Sequence, residues 1–228
     1  MAREAFDREL EYLFKNIGVL GNQVEKIMED TIRALKTRDL NLAKEIYEND
    51  PLINAAQNNI EQFCVNLIAL QQPIARDLRG ITATLKMLTD IERTADQCAD
   101  ICEIMSTYPE FIQAETPTAI LEMFEISKEM FGASIDAFIR RDTELAVQVI
   151  GRDDEVDNLF SRTILELSNQ MQTNQNAVSQ ATDYMFVAKY IERMGDHAVN
   201  IAEWTIYAVT GEHKNMTDKI LGNRKPLQ

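Results

Sequence analysis

The segment Ile91-Glu92-Arg93-Thr94-Ala95-Asp96-Gln97-Cys98-Ala99-Asp100-Ile101 returns one hundred positions later as Ile191-Glu192-Arg193-Met194-Gly195-Asp196-His197-Ala198-Val199-Asn200-Ile201. A chain that repeats itself in this way is expected to fold as two similar halves. With 228 residues, each half has about a hundred residues in which to bury a core. Each copy also keeps a Glu and an Asp four residues apart within an apolar, glycine-poor stretch. On a helix, that spacing puts the two carboxylates one turn apart, where they can grip one cation together.

The type of element follows from what the chain lacks. Forty-five per cent of its residues are hydrophobic, yet it has only eight Gly and five Pro, so regular elements must be long and turns few. Leu, Ala, Glu, Lys, Met and Gln are abundant and favour helix. The expected fold is all-α: two tandem, pseudo-symmetric three-helix bundles, six helices in all.

Periodicity places them. Phe6, Leu10, Leu13, Ile17, Leu20, Val24, Ile27 and Thr31 alternate four and three apart, the seam of a first helix over about residues 3–37. Gly18 and Gly21 lie within it, and each costs roughly 1 kcal/mol relative to Ala, so both are expected to admit a close neighbouring helix. Asp39 caps a second helix that passes a kink at Pro51 and carries Ile53, Ala56, Ile60, Phe63, Leu67 and Leu70. Gln71-Gln72-Pro73 ends it, and Pro73 starts a third helix that carries Leu78, Ile81, Leu85 and Leu88 into the first acidic motif.

Residues 107–117, which contain Pro109 and Pro117, break the pattern as a linker. Ile120, Phe124, Phe131 and Phe138 mark the fourth helix. Asp142, matching Asp39, caps the fifth, which carries Val156, Phe160, Ile164, Leu167 and Met171. After a turn at residues 174–178, the sixth helix runs to about Val209. The expected domains are residues 1–107 and 117–211, followed by a mobile tail, 212–228, that carries Lys214, Lys219, Arg224 and Lys225.

A net charge of −14 speaks against nucleic-acid binding, which needs a basic footprint, and suits attraction of metal cations. No stretch reaches the roughly 20 apolar residues that span a bilayer, and residues 1–4 lead into an acidic amphipathic segment rather than a signal-peptide core, so a cytoplasmic location is expected. Cys64, Cys98 and Cys102 lack the C-x-x-C spacing of a zinc site and read as buried thiols.

A helical wheel puts Glu192 and Asp196 at the border of the sixth helix's apolar face. Glu92 and Asp96 fall likewise on the third, and Asp100 and Asn200 continue each row by a turn. One helix earlier, Asp50 and Asn54 align with Asp153 and Asp157 at an offset of 103, against 100 for the Glu/Asp motifs; the second half is three residues shorter between them. If neighbouring helices lie side by side, each half forms an oxygen-lined site for one or more hard cations. Plainer roles remain open: Asp50 before Pro51 and the pair Asp153 and Asp154 suit helix starts, and Glu92 and Glu192 each precede an Arg that can pair with them. His197 reads as a hydrogen-bonded or surface residue rather than a nitrogen ligand. The absence of Glu-x-x-His spacing argues against a di-iron oxidase, and no P-loop or nucleophile elbow is present.

Gln72-Pro73-Ile74-Ala75-Arg76-Asp77-Leu78-Arg79, both Ile-Glu-Arg-x-x-Asp repeats and Glu192-Arg193-Met194-Gly195-Asp196-His197-Ala198 resemble the PhoU family over nearly the whole chain. The resemblance implies a non-enzymatic adaptor that negatively regulates the phosphate-starvation response and phosphate uptake. Its implied partners are the ATPase subunit of a phosphate ABC transporter and a PhoR-type sensor histidine kinase, with the membrane met only through them. It also implies metal clusters, of iron, zinc, manganese or magnesium, held by Glu92, Asp96, Glu192, Asp196, Asp153 and Asp157; the helix spacing adds Asp50 and Asp100 as candidate ligands. Asn54 departs from the pattern where an acid would complete a fourth motif. A homodimer is expected, and no catalytic residue is assigned. The competing expectation is a helical, metal-dependent nucleotide phosphohydrolase, which needs a pocket with phosphate-binding cations; Arg93 and Arg193 are the only basic residues inside the motifs, and two near-equal sites suit symmetric metal loading better than one pocket.

Overall fold

The computed structural model describes residues 2–108 and 115–212, with side chains from Glu4 onward. Six helices account for nearly all of it: α1 (Ala2–Thr37), α2 (Leu40–Gln71), α3 (Ala75–Thr107), α4 (Thr118–Arg140), α5 (Thr143–Thr173) and α6 (Val178–Thr210). A single 3₁₀ turn, Gln175–Ala177, precedes α6. The part of the expected linker at 109–114 and the tail from residue 213 lie outside the described residues. Among the described residues, no helix is long and apolar enough to cross a membrane.

Each half is three helices in mutual contact: α1, α2 and α3, then α4, α5 and α6. The halves meet chiefly through α1 on α4 and α3 on α6, so four helices share the middle while α2 and α5 lie outside, packed mainly on their own half. A three-helix unit of this size leaves one apolar face uncovered, and pairing the two units covers both faces. One continuous core results, running from Phe6 and Leu13 through Met87 and Ile91 to Phe124, Phe131 and Ile201.

The α1 seam is buried from Phe6 to Val24, and Gly18 and Gly21 do admit a close neighbour. A Cβ on Gly21 would lie 2.7 Å from Ile135 Cγ2, and one on Gly18 would lie 3.0 Å from Ile139 Cδ1, both on α4. The two expected caps are matched. Asp39 Oδ1 accepts from the amides of Asn41 and Leu42 at 3.1 Å, and Asp142 Oδ1 from those of Glu144 and Leu145 at 3.0 Å. All three cysteines are buried and free.

Several local expectations are corrected. α2 runs through Pro51, so Asp50 lies in mid-helix and caps nothing. The ring removes one helical hydrogen bond, that to the Tyr47 carbonyl, at a cost of about 3 kcal/mol. Burial of Ile46, Ile53 and Ile60, seven residues apart on one seam, carries the helix across. Asp153 and Asp154 likewise sit well inside α5, too far from its start for a first-turn role. Pro73 precedes α3 rather than opening it, because Gln72 turns the chain with φ 45° and the helix begins at Ala75. Leu78 is exposed, and Asp77 takes the buried position beside it.

Candidate metal centre

Because α2 lies along α3 and α5 along α6, the acids of neighbouring helices face each other. In the first half, Asp50 comes within electrostatic reach of Glu92, Asp96 and Asp100. In the second half, Asp153 and Asp157 face Glu192 and Asp196. The eight residues singled out by spacing therefore assemble as four in each half, on helices from different parts of the repeat.

Neither cluster is neutralised by the protein. Burial, then Asp157, Asp196, Asp154 and Glu192, pushes the Asp153 carboxyl up to about 7. Asp157 and Asp196 are raised by burial and then by Glu192. In the first half, Asp50, Glu92 and Asp100 are each raised by burial and next by Asp96, with Arg93 partly relieving Glu92. A carboxylate crowded by other carboxylates is what a hard cation relieves.

The donors present fit a cation. Asp50 Oδ1 and Asn54 Oδ1 are buried and make no hydrogen bond, while the Asn54 amide nitrogen donates to Asp50 Oδ2 at 3.2 Å. Asn54 therefore lacks a charge but still offers a neutral oxygen. The donor set is oxygen, which suits magnesium or manganese before softer ions. Among the described residues, no three His, Cys, Asp or Glu side chains converge on one point as a finished cage would. Like charges hold apart until a counter-charge draws them in, and rotation of these partly exposed side chains would close the distance.

His197 is committed elsewhere. Its Nδ1–H donates to Asp90 Oδ1 at 2.8 Å, Asn200 Nδ2 donates to the same oxygen at 3.0 Å, and Nε2 meets Gln97 Nε2 at 3.2 Å. With the ring proton on Nδ1, Nε2 is the acceptor for Gln97. Both ring nitrogens are thus occupied in a polar bridge between α3 and α6. Gln97 and His197 are repeat equivalents, so the bridge lies where the two halves meet as near-symmetry mates. Sequence reasoning missed Asp90; its signal was an acid in apolar phase with Met87, Ile91 and Thr94, and it is only 9% exposed.

The arginines break the symmetry. Arg93 pairs with Glu92 at 3.6 Å and Asp96 at 3.5 Å in its own half. Glu192 instead takes Lys189 as its close ion partner, and Arg193 reaches across to the first half. There it lines a cavity of about 520 Å³ with Tyr47, Glu48, Asp50, Arg93, Asp96, Gln97 and Asp100. Tyr47, Glu48 and the crossing of Arg193 carried no signal in the sequence.

The PhoU domain matches this chain twice, at residues 17–105 and 120–205, once in each half. The chain belongs to the PhoU family. It is 37% identical over 219 residues to the phosphate-specific transport system accessory protein PhoU homolog of Clostridium acetobutylicum, covering 96% of this chain and 100% of that protein. To the Escherichia coli accessory protein PhoU it is 30% identical over 209 residues, covering 91% of this chain and 86% of the other. The crystal structure of PhoU from Pseudomonas aeruginosa superposes with a TM-score of 0.86 at 32% identity, covering 91% of this chain and 100% of that one. A PhoU structure from Streptococcus pneumoniae, described as a phosphate transport system regulatory protein, gives 0.86 at 27%, covering 92% and 100%. Two PhoU domains and PhoU structural neighbours account for the paired three-helix architecture.

Proposed function

We propose that this PhoU-family protein is a metal-binding accessory protein of phosphate transport. It restrains phosphate uptake and the phosphate-starvation response by linking a phosphate ABC transporter's ATPase subunit to a PhoR-type sensor histidine kinase. The accessory role is supported by the names its relatives carry across most of their length. The observation behind the metal is the doubled assembly of Glu/Asp rows facing a further acid pair or an Asp/Asn pair, with crowded carboxylates that the protein leaves largely uncompensated. Bound there, a divalent cation supplies positive charge and bridges oxygens.

In the first half, Asp50, Glu92, Asp96 and Asp100 would hold the metal, with Asn54 as neutral donor; in the second, Asp153, Asp157, Glu192 and Asp196. The protein acts by coupled binding in the cytoplasm, as a homodimer, without turning over a substrate. Its net charge of −14 disfavours nucleic acid as a partner, and it meets the membrane through the transporter and kinase alone.

Elemental analysis of tag-free protein purified without chelator tests the metal. Stoichiometric metal is expected in the wild type and none in a folded Glu92→Ala, Asp96→Ala, Glu192→Ala, Asp196→Ala variant; equal trace amounts in both would sink the assignment. Reconstitution with transporter and kinase tests the adaptor. Kinase association is expected to weaken when phosphate is withdrawn, and an association blind to phosphate would remove the link. Nucleotide hydrolysis by the pure protein, lost with Glu192→Ala, would replace the adaptor reading with an enzyme.

A further inference from the structure

The cavity on the first half differs from a plain cation site. Four carboxylates line it, from Glu48, Asp50, Asp96 and Asp100, but so do two guanidinium groups, Arg93 of the same half and Arg193 from the other. Arginine presents a planar fork of donors that matches tetrahedral oxyanions, and two forks converging on one cavity is an arrangement the cation alone does not call for. Gln97 also lines the cavity. It is 3% exposed, and its Oε1 is buried with no hydrogen-bond partner, because the amide nitrogen is the end that meets His197. A buried amide oxygen left unpaired carries a desolvation penalty, relieved by a protonated oxygen or a water held in the cavity.

Charge decides the order of binding. With four acids against two arginines, the cavity is net negative and repels an anion until a cation occupies the carboxylates. Once it does, the cation and the two arginines present positive charge on several sides of a space large enough for a small oxyanion and its water. The second half lacks the device. Ile150 and Gly151 stand where Tyr47 and Glu48 stand in the first, and Arg193, which would serve it, has crossed over.

We infer that the first-half cavity is a metal-dependent site for a small tetrahedral oxyanion, with orthophosphate as ligand, held between the cation and the guanidinium groups of Arg93 and Arg193. The inference rests on metal binding at the acidic cluster. It gives the two halves different tasks and makes phosphate occupancy sensitive to the α3–α6 interface, because one anion-binding residue comes from each half.

The test uses the full chain, stripped with chelator, reloaded with manganese and dialysed against radiolabelled orthophosphate. One phosphate per chain is expected for the manganese-loaded wild type and none for the stripped protein. Arg193→Ala removes an exposed side chain that acts on the proposed ligands only as a positive charge near Asp100; losing a cation beside the carboxylates does not weaken their hold on manganese, so the variant should keep its manganese and bind phosphate at least about tenfold more weakly. Lys189→Ala, beside the second cluster, should bind phosphate as the wild type does. Manganese uptake without phosphate overturns this site and leaves the metal assignment standing. No manganese uptake overturns both. Phosphate bound equally by Arg193→Ala, or equally by stripped protein, removes the cavity as its location.

Discussion

The first and second acidic clusters occupy equivalent places in a duplicated fold, yet they handle charge in opposite ways. The two trade acids: Asn54 and Pro51 of the first stand where the second has Asp157 and Asp154, Glu48 and Asp100 of the first stand where the second has Gly151 and Asn200, and in the first Arg93 and Arg193 add positive charge. The second keeps Asp153, Asp154 and Asp157 against Glu192 and Asp196, with Lys189 as the close cation, and its Asp153 carboxyl is pushed up to about 7. Duplication supplied two copies of one helix pair, and a few side chains then set how much of the charge the protein itself balances. The second cluster therefore leaves more carboxylate crowding for a cation to relieve, and the first balances more of its own charge.

The largest break in this comparison should come from Asp153→Ala. It removes the carboxylate most crowded by its neighbours, and calorimetric titration with manganese is expected to show the second-half affinity falling by about a hundredfold or more, the upper end of what outer-shell changes alone cost. Asp50→Ala should cost the first half less, since Asn54 and the arginines already share its load. Equal losses at the two sites would erase the distinction.

Acidity should separate them next. A carboxyl whose folded pKa is raised binds its proton more tightly in the folded state. Its stabilising contribution is full below the ordinary value near 4 and is lost as pH rises through the folded value, about 7 for Asp153. Metal-free protein should thus melt higher at pH 5 than at pH 7.5, by on the order of several degrees. Asp153→Asn should flatten that slope more than Asp50→Asn does, and saturating manganese should flatten it in the wild type. A melting temperature that rises with pH over this interval in metal-free protein would contradict the crowding.

Much of this could be read in the sequence, and the limits have physical causes. Helices α1 to α6 were legible because one apolar seam every three or four residues fixes a helix wherever it packs. Asp39 and Asp142 were legible because capping is local. Asp50 was ambiguous because Asp-Pro is a helix-start signal by local rules, and only the seam of Ile46, Ile53 and Ile60 outweighs the proline. The Glu/Asp rows were visible as a repeat, and the helix neighbours that complete each cluster followed from assuming adjacent helices pack. What stayed hidden depends on how the halves meet. Neither the Asp90–His197–Asn200 bridge nor the reach of Arg193 follows from any local pattern, because α3 against α6 is a contact between residues about a hundred positions apart.

Restoring the missing acid sharpens the comparison from the other side. Asn54→Asp should tighten cation binding at the first half by about tenfold, which is 1.4 kcal/mol, while loosening the metal-free fold, because a second carboxylate would replace the amide that now donates to Asp50. Unchanged affinity would mean that the neutral Asn54 oxygen already serves fully as a ligand.

The smallest effect should come from the backbone under the second cluster. Gly195 stands where the first half has Ala95, so α6 carries a glycine in mid-helix directly opposite α5. Close approach does not require it: a Cβ there would lie 3.5 Å from Val156 Cγ1 and 3.7 Å from Asp153 Oδ1, ordinary contact distances, unlike the 2.7 Å that an alanine at Gly21 would face. Helix propensity favours Ala over Gly by roughly 0.8–1 kcal/mol, so Gly195→Ala should raise stability by up to about that much, worth about 2–4 °C in a chain of this size. Manganese affinity should not change. If the variant instead lost stability or metal, α5 would have to draw closer to α6 when the cation binds than it lies now, and the glycine would be there to permit that movement. Ala95 in the first half would then mark the more rigid of the two sites.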